Sequence, residues 1–379
     1  MYSLDQFALM FADKLRMDAY SAAIARCVRP GDAVVDLGCG PGVFALLACK
    51  AGARRVYAID LDGVVDFGRQ LAAANGYSDQ IIFMRGDSRQ IRLPERVNVI
   101  VTDVRGVVPL SSHAVDTLED ARDRFLAPGG HLIPSSDTLY AAVVELPVQY
   151  GTMSNAWRSV PQLDLSSGLP LVLNTIYRHQ IKPDQLLSEA RPWHVLDYVS
   201  GDSQPAHALL QLPITRDATG HGIAVWFSTQ LADGIGFSTD PQSGENIYGH
   251  VFLPWLEPVS LRKGEICSVE LDARLVGNDY VWQWKTSLPD FDRHKQVHFA
   301  QSSFFGSLFP PSMLRKRSTG YVPVLSEAGL AERWILQAMD GKRSLQDIAA
   351  EAARLFPHIF RRADDAFSLA AEIAEKFSR

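Results

Sequence analysis

Ala33-Val34-Val35-Asp36-Leu37-Gly38-Cys39-Gly40-Pro41-Gly42 is the stretch that decides the fold. Its first half is a short apolar run of the kind that forms a strand buried on both faces. Its second half sets a glycine at every other position, where a turn needs positive φ and the backbone must come close to a ligand. Val43–Lys50 reads as a helix closed by Gly52, so the turn lies at the C-terminal edge of a sheet, beside a helix N-terminus. Working outward, Arg55–Asp60 is a second buried strand, followed by a helix to Asn75 with Gly76 as its C-cap. Ile81–Met84 and Val97–Thr102 make two more strands. Upstream, Phe7, Leu9, Met10, Leu15, Ala19, Ala22, Ile24 and Ala25 recur at near-helical spacing, predicting one helix over residues 5–29 that Pro30-Gly31 stops. This alternation argues for a mostly parallel sheet covered on both faces.

The texture changes after Pro134. Short β-type segments follow at Leu139–Leu146, Ala208–Leu212, Gly222–Phe227, His250–Pro254, Ile266–Leu275 and Tyr280–Trp284, separated by Pro, Gly, Asp and Asn. That is the pattern of an antiparallel barrel or sandwich. Residues 151–190 are longer, mixed, and read as an insertion. Tyr321–Val324 reads as a strand, and amphipathic helices follow near Ala328–Met339, Leu345–Leu355 and Ala363–Phe377. The expected domains are 1–134, α/β and Rossmann-like; 135–300, a β-barrel; and 320–379, a small helical module.

Composition removes several function classes. With 379 residues, 47% hydrophobic and 21% charged, the chain is an ordinary globular one of two or three domains. A formal charge of −6 gives no support for nucleic-acid binding, whose footprint is a basic face. Cys27, Cys39, Cys49 and Cys267 lack metal-type spacing, so no metal is expected and reduced thiols are. Met1–Arg16 has no long apolar core and reads as neither signal peptide nor anchor. No run approaches the roughly 20 apolar residues that span a bilayer, so a cytoplasmic location is the default expectation.

The glycine turn alone fits a dinucleotide as well as a sulfonium nucleoside. Two aspartates sharpen the reading towards the nucleoside. Asp60, ending the second strand, is placed to accept from both hydroxyls of a ribose, and Asp36 faces the amino-acid portion of S-adenosylmethionine, where an ammonium needs an anion. Gly38, Gly40 and Gly42 would let the backbone approach. Gly86-Asp87-Ser88 follows the third strand, where Asp87 and Ser88 meet the adenine in this fold.

From here the chain resembles the protein arginine methyltransferases. Met10-Phe11-Ala12-Asp13-Lys14-Leu15-Arg16 is similar to the family's helix that caps the cofactor, and the resemblance implies that Arg16 pairs with the carboxylate of S-adenosylmethionine. Lys50-Ala51-Gly52-Ala53-Arg54 and Asp60 match the segment leading to the ribose acid. Ala121–Gly130, with Ile133-Pro134 after it, is the most family-specific stretch; Phe237-Ser238-Thr239 and Leu256-Glu257-Pro258 resemble the barrel. The resemblance covers roughly residues 8–290. It implies a nucleotide-binding half, a barrel half, and an arm near 165–187 that makes a head-to-tail homodimer.

The acceptor loop departs from that pattern. The family clamps a guanidinium between two glutamates; over Thr102–Leu118 those positions hold Asp103 and Ser112, with Arg105 between. The barrel's Thr-His-Trp triplet falls at Ile247, Tyr248 and Gly249, and the adenine-contacting Glu at Arg89. A guanidinium binds best to paired carboxylates, and truncating one partner of such a buried pair costs about 2–5 kcal/mol. Arginine is therefore disfavoured as acceptor. Asp103 is left to orient another nucleophile, Arg105 to hold a carboxylate or simply to pair with Asp103, and His113 to act as a base.

Trp334–Ala349 resembles the PqqD-like winged-helix domains, which bind leader segments of ribosomally made peptides. Ser344 would N-cap the second helix, with Asp347 reaching back. A leader peptide adding as a strand to the module's sheet edge is then expected. Three readings stay open: a methyltransferase acting on a peptide or peptide-derived natural product, one acting on a small molecule with a structural C-terminal module, and a silent homologue that binds the cofactor and scaffolds a partner. A dehydrogenase lacks any catalytic constellation.

Overall fold

The computed structural model describes residues 2–201, 205–290, 292, 294–308 and 310–378, the side chain of Pro311 excepted. The chain divides into two compact units, Met1–Leu308 and Phe309–Arg379.

The first unit opens with two helices where the periodicity suggested one, α1 (Leu4–Ala12) and α2 (Lys14–Cys27). Asp13 breaks them: its backbone is extended, its carboxylate accepts from the Arg16 N–H at 3.1 Å, and its other oxygen accepts from the Ile247 N–H at 2.9 Å. An apolar count passes through such a break because the capping residue is itself polar and keeps the phase.

Strands β1 (Ala33–Leu37), β2 (Arg55–Asp60), β3 (Ile81–Arg85), β4 (Val97–Thr102) and β5 (Leu126–Ile133) form a parallel sheet of order β3-β2-β1-β4-β5. Helices α3 (Val43–Lys50), α4 (Val65–Ala74) and α5 (Ala114–Phe125) connect them. Every residue of β1 is buried, as its unbroken apolar run requires of a central strand. The order reverses at β1, so the glycine turn leaves the sheet at its switch point, where open α/β sheets bind ligands.

Two antiparallel sheets follow. One has the order β7-β12-β10-β6-β8, with β11 beside β10; the strands are β6 (Ser136–Val144), β7 (Tyr177–His179), β8 (Arg191–Asp197), β10 (Ala218–Ala232), β11 (Ile235–Ser238) and β12 (His250–Leu261). The other runs β15-β14-β13-β9, from β9 (Ala206–Pro213), β13 (Ile266–Val276), β14 (Asp279–Asp290) and β15 (Lys295–Ser302). Trp226, Trp255 and Trp284 are fully buried. The expected boundary at 134/135 is no break in packing, since Met1–Leu308 holds together as one unit.

The arm expected over 165–187 is divided differently. Helices α6 (Pro147–Ser154) and α7 (Leu169–Leu173) carry the excursion, whereas Tyr177–His179 pairs with β12 and Leu187 is buried in the core. Val148 and Leu163 are exposed on the excursion.

The second unit holds α8 (Pro311–Lys316), α9 (Glu327–Ala338), α10 (Leu345–Leu355) and α11 (Ala363–Phe377). Ala331, Ile335, Ile348, Ala352, Phe360, Ala370 and Ile373 make its own core. Ser344 caps α10 by accepting from the Asp347 N–H at 3.1 Å, while the Asp347 carboxylate accepts from the Ser344 hydroxyl at 2.6 Å. Tyr321–Val324 is not a strand; Val322 and Val324 lie open to solvent, because two β-branched residues without a neighbouring strand have nothing to pair with. Among the described residues this unit has no strand, so the expected wing and the sheet edge for a leader peptide are both missing.

Candidate functional site

The glycine turn is pinned to the neighbouring strand. The Gly38 and Cys39 N–H groups both donate to the Ile59 carbonyl, at 2.8 and 3.0 Å, and the Gly40 N–H donates to Asp60 Oδ2 at 2.8 Å. Gly38, Gly40 and Gly42 all have positive φ, +68°, +53° and +83°. A Cβ on Gly40 would meet the Phe7 ring at 2.6 Å, and one on Gly42 the Phe83 ring at 2.8 Å. Conformation and space thus both demand glycine here. Asp60 Oδ1 accepts from the Asp62 N–H at 2.9 Å, so the carboxylate shapes the turn and keeps a second lone pair on each oxygen.

Asp36 is the unusual group. It is buried within the apolar strand; Oδ2 accepts from the Ala45 N–H at 2.8 Å, and Oδ1 has no partner. Burial pushes its carboxyl up to about 7, against the Ala45 hydrogen bond; the Asp60 charge adds to the rise and Arg16 opposes it. An unpaired carboxylate oxygen inside a protein is costly and points to a cationic or hydrogen-bonding ligand. The residues around the turn fit S-adenosylmethionine on that account: an orphaned acid for an ammonium, a backbone cradle, and a strand-end acid for a ribose.

Arg16, in the first turn of α2, lies over the Phe44 ring, 4.9 Å from its centroid. Its Nε–H donates to Asp103 Oδ2 at 2.5 Å and Nη1 to the Met10 carbonyl at 3.3 Å. The carboxylate partner expected from the cofactor is thus supplied in this structure by Asp103. Asp87 accepts both Nε–H and Nη2–H of Arg89, which depresses its carboxyl, so the acid expected at an adenine amine is tied to a neighbouring cation. Ser88 is buried and its carbonyl accepts from Arg124 Nη2 at 2.6 Å.

Behind the turn lies a second cluster, deeper than the sequence suggested. Asp103 accepts four hydrogen bonds: Arg16 Nε and the Tyr248 hydroxyl (2.8 Å) on Oδ2, and Arg105 Nε (3.2 Å) and Nη2 (3.0 Å) on Oδ1. Burial favours its neutral form, but the charges of Arg16 and Arg105 and then the Arg16 and Tyr248 hydrogen bonds outweigh it, leaving the carboxyl below its ordinary range. Arg105 also donates from Nη2 to the Tyr20 hydroxyl and from Nη1 to Asp137 Oδ1 and Thr229 Oγ1, each at 2.7 Å. The Tyr198 hydroxyl closes the set on Asp137 Oδ2 at 2.7 Å. Burial opposes the Arg105 charge, yet Asp137, Tyr20, Asp103 and Tyr248 hold its pKa well above the ordinary value.

Asp103 has every lone pair engaged in this structure, which leaves none to orient a nucleophile. Of the two roles expected of Arg105, the structure has the ion pair with Asp103. His113 is brought to neither: its ring faces Asp116 and Asn278, each at 3.4 Å, and no hydrogen bond of the cluster reaches it. Ser112, at the second Glu position, has φ +47° and donates its N–H to Asp279 Oδ1 at 2.8 Å, so the β13–β14 turn holds the loop.

Sequence reasoning missed Tyr20, Asp137, Tyr198 and Thr229, and noted Tyr248 only as a departure from a triplet. Tyr20 had a signal: it lies four residues after Arg16, on the same helix face. The others come from distant strands and loops.

Among the described residues no cluster of His, Cys, Asp or Glu could hold a metal ion, and no helix is long and apolar enough to cross a membrane.

Residues 19–136 match the family model of the ribosomal protein L11 methyltransferase, PrmA. The "probable protein arginine N-methyltransferase 6" of Arabidopsis thaliana is 35% identical over 164 residues, which are 43% of this chain; the chain spans only 38% of that protein's length. Protein arginine N-methyltransferase 1 of Dictyostelium discoideum is 25% identical over 271 residues, 69% of this chain and 80% of that one. Among solved structures, the Trypanosoma brucei PRMT1 enzyme–prozyme heterotetrameric complex with AdoHcy aligns with TM-score 0.70 and 22% identity, covering 78% of this chain and 96% of the other. The fold, a parallel α/β sheet followed by a β-rich part, is therefore that of the arginine methyltransferase structures.

Proposed function

We propose that this chain is an S-adenosylmethionine-dependent methyltransferase of arginine-methyltransferase architecture whose acceptor is not arginine. The observation that carries it is Asp36 Oδ1, buried without a partner near the end of β1, just before the switch-point turn with its three left-handed glycines. When bound there, the cofactor supplies a methyl group on a sulfonium, a good leaving group that needs little acid–base help. Asp36 would hold its ammonium end, Arg16 its carboxylate, and Asp60 its ribose. The chain's residues then contribute chiefly alignment and exclusion of water. The resemblance to relatives named for arginine methylation supports methyl transfer. Against arginine itself stands Arg105, whose guanidinium already occupies Asp103, the carboxylate of the acceptor loop, and Asp137 of β6. The acceptor class we favour is an amine, imidazole or hydroxyl on a peptide or small molecule. Assembly as a pair of copies rests on the resemblance alone, as does a leader peptide at the second unit, now without a sheet edge to receive it.

A second reading has its own observation. Every lone pair of Asp103 and every N–H of Arg105 is used, a closed arrangement that suits a chain that binds cofactor and performs no transfer. Incubation with methyl-labelled cofactor, first with arginine-rich peptides and then with host extract, separates the two. Label in an arginine-free product supports the first reading, label in arginine overturns its acceptor class, and no label with intact cofactor binding supports the second.

A further inference from the structure

Arg105 is held as a bound ligand would be. A guanidinium has five N–H donors, and here all five are taken by four acceptor atoms: Asp103 Oδ1 takes Nε and one Nη2 hydrogen, Tyr20 the other, and Asp137 and Thr229 the two on Nη1. Rings complete the enclosure, with Phe227 at 4.9 Å from the guanidinium carbon, Phe237 at 5.8 Å and Tyr248 at 6.0 Å. An ordinary buried ion pair uses one carboxylate and leaves donors over; this one uses two carboxylates, two hydroxyls and the rings of Tyr20, Phe227, Phe237 and Tyr248. Tyr20 comes from α2, Asp137 from β6, Thr229 and Phe227 from β10, Phe237 from β11, Tyr248 from just before β12, and Asp103 from the residue that follows β4. The ligand comes from a loop, beside Gly106, whose φ is +62°.

We propose that Asp103, Asp137, Tyr20 and Thr229, within this ring cage, form a guanidinium-binding site whose resident ligand is Arg105, and that Arg105 is the residue denying the site to an arginyl side chain from outside. The inference leans on the proposed function only in taking residues 102–118 as the acceptor loop; the box itself involves no cofactor. Its ligand class is the alkylguanidinium. Removing the Arg105 side chain leaves two buried carboxylates facing an aromatic cavity, with Arg16 the remaining cation in the cluster. A cavity of that composition is destabilising when empty and selective when filled.

The test uses the full chain carrying Arg105→Ala, with n-propylguanidinium as the probe and n-propylammonium as control. The variant's first-unit thermal midpoint is expected to fall by about 5–10 °C. Millimolar n-propylguanidinium should restore most of it saturably, n-propylammonium much less, and wild type should respond to neither. Equal responses to the two cations, or no response in a folded variant, overturn the proposal. Arg105→Lys gives a second reading should Arg105→Ala not fold: it keeps the charge, so a plain ion pair would tolerate it, whereas a five-donor box should lose about 3–8 °C. A lysine variant as stable as wild type overturns the proposal. Calorimetry of wild type with S-adenosylhomocysteine reports on the cofactor reading separately, so either idea can fail alone.

Discussion

Asp36→Asn tests the site where stability and binding should move in opposite directions. The folded chain holds the Asp36 proton up to a pH of about 7 because the carboxyl is buried with one oxygen unpaired. In the unfolded chain the same group loses its proton near its ordinary value of about 3.9. Between those values the native state binds more protons than the unfolded one, so stability falls as pH rises. Full burial leaves no solvent to soften the effect. A difference of about 3 units is worth ~4 kcal/mol, lost progressively from pH 4 to pH 7. Asparagine does not titrate and keeps the bond from the Ala45 N–H. Its amide nitrogen, placed where Oδ1 lacks a partner, costs about 1–3 kcal/mol at every pH. The variant should therefore lie near wild type at pH 5, where about 1.5 kcal/mol is already lost, and be more stable, by about 1–3 kcal/mol, at pH 8. Its affinity for a cofactor bearing an ammonium should drop about tenfold or more, since a charge-assisted bond becomes a neutral one. Urea unfolding of both proteins at pH 5, 6, 7 and 8 reads the difference, followed by tryptophan fluorescence in a Trp334→Phe background that silences the second unit. A difference that is flat with pH, or that turns against the variant as pH rises, refutes the reasoning.

Arg16→Ala removes the cation that lies between Asp103 and the glycine turn; binding of S-adenosylhomocysteine should weaken roughly 30- to 150-fold by calorimetry, equivalent to about 2–3 kcal/mol. Tyr248→Phe deletes one of the four donors to Asp103 and should cost about 1.5–3 kcal/mol in urea unfolding of the first unit, as expected for a hydrogen bond to a buried charge. Ser344→Ala uncaps α10 and should destabilise the second unit by about 1 kcal/mol, seen as roughly fivefold faster amide exchange in α10 with the first unit unchanged.

Much of the first unit was legible because its strands obey one rule. β1, β2 and β4 are continuous apolar runs bounded by turn residues, and their ends fell where the glycines and aspartates put them. β15 was missed for the opposite reason: Lys295-Gln296-Val297-His298-Phe299 alternates exposed and buried positions, and its polar half masks the apolar one. β7 and β11, at three and four residues, are too short to show a period. The second unit's helices were visible from their spacing, but Tyr321–Val324 shows the limit of β-propensity, which acts only when a partner strand exists. At the site, Asp103 and Arg105 were readable as neighbours. Asp137, Thr229 and Tyr20 lie 32, 124 and 85 residues from Arg105, and Tyr248 lies 145 from Asp103, so only the folded chain brings them together. The sequence therefore suggested an ion pair where folding builds a closed box.

Cofactor binding at the Asp36 turn is the property on which every proposed role depends. Calorimetric titration of the full chain with S-adenosylhomocysteine at pH 7, repeated in two buffers of different ionisation enthalpy, reads both the binding and any proton that leaves. One site per chain is predicted, with release of about half a proton as the ligand's ammonium draws the charge onto Asp36, whose carboxyl titrates at about 7. No heat in either buffer would contradict the central claim, and binding with no proton released would show that the ligand does not face Asp36.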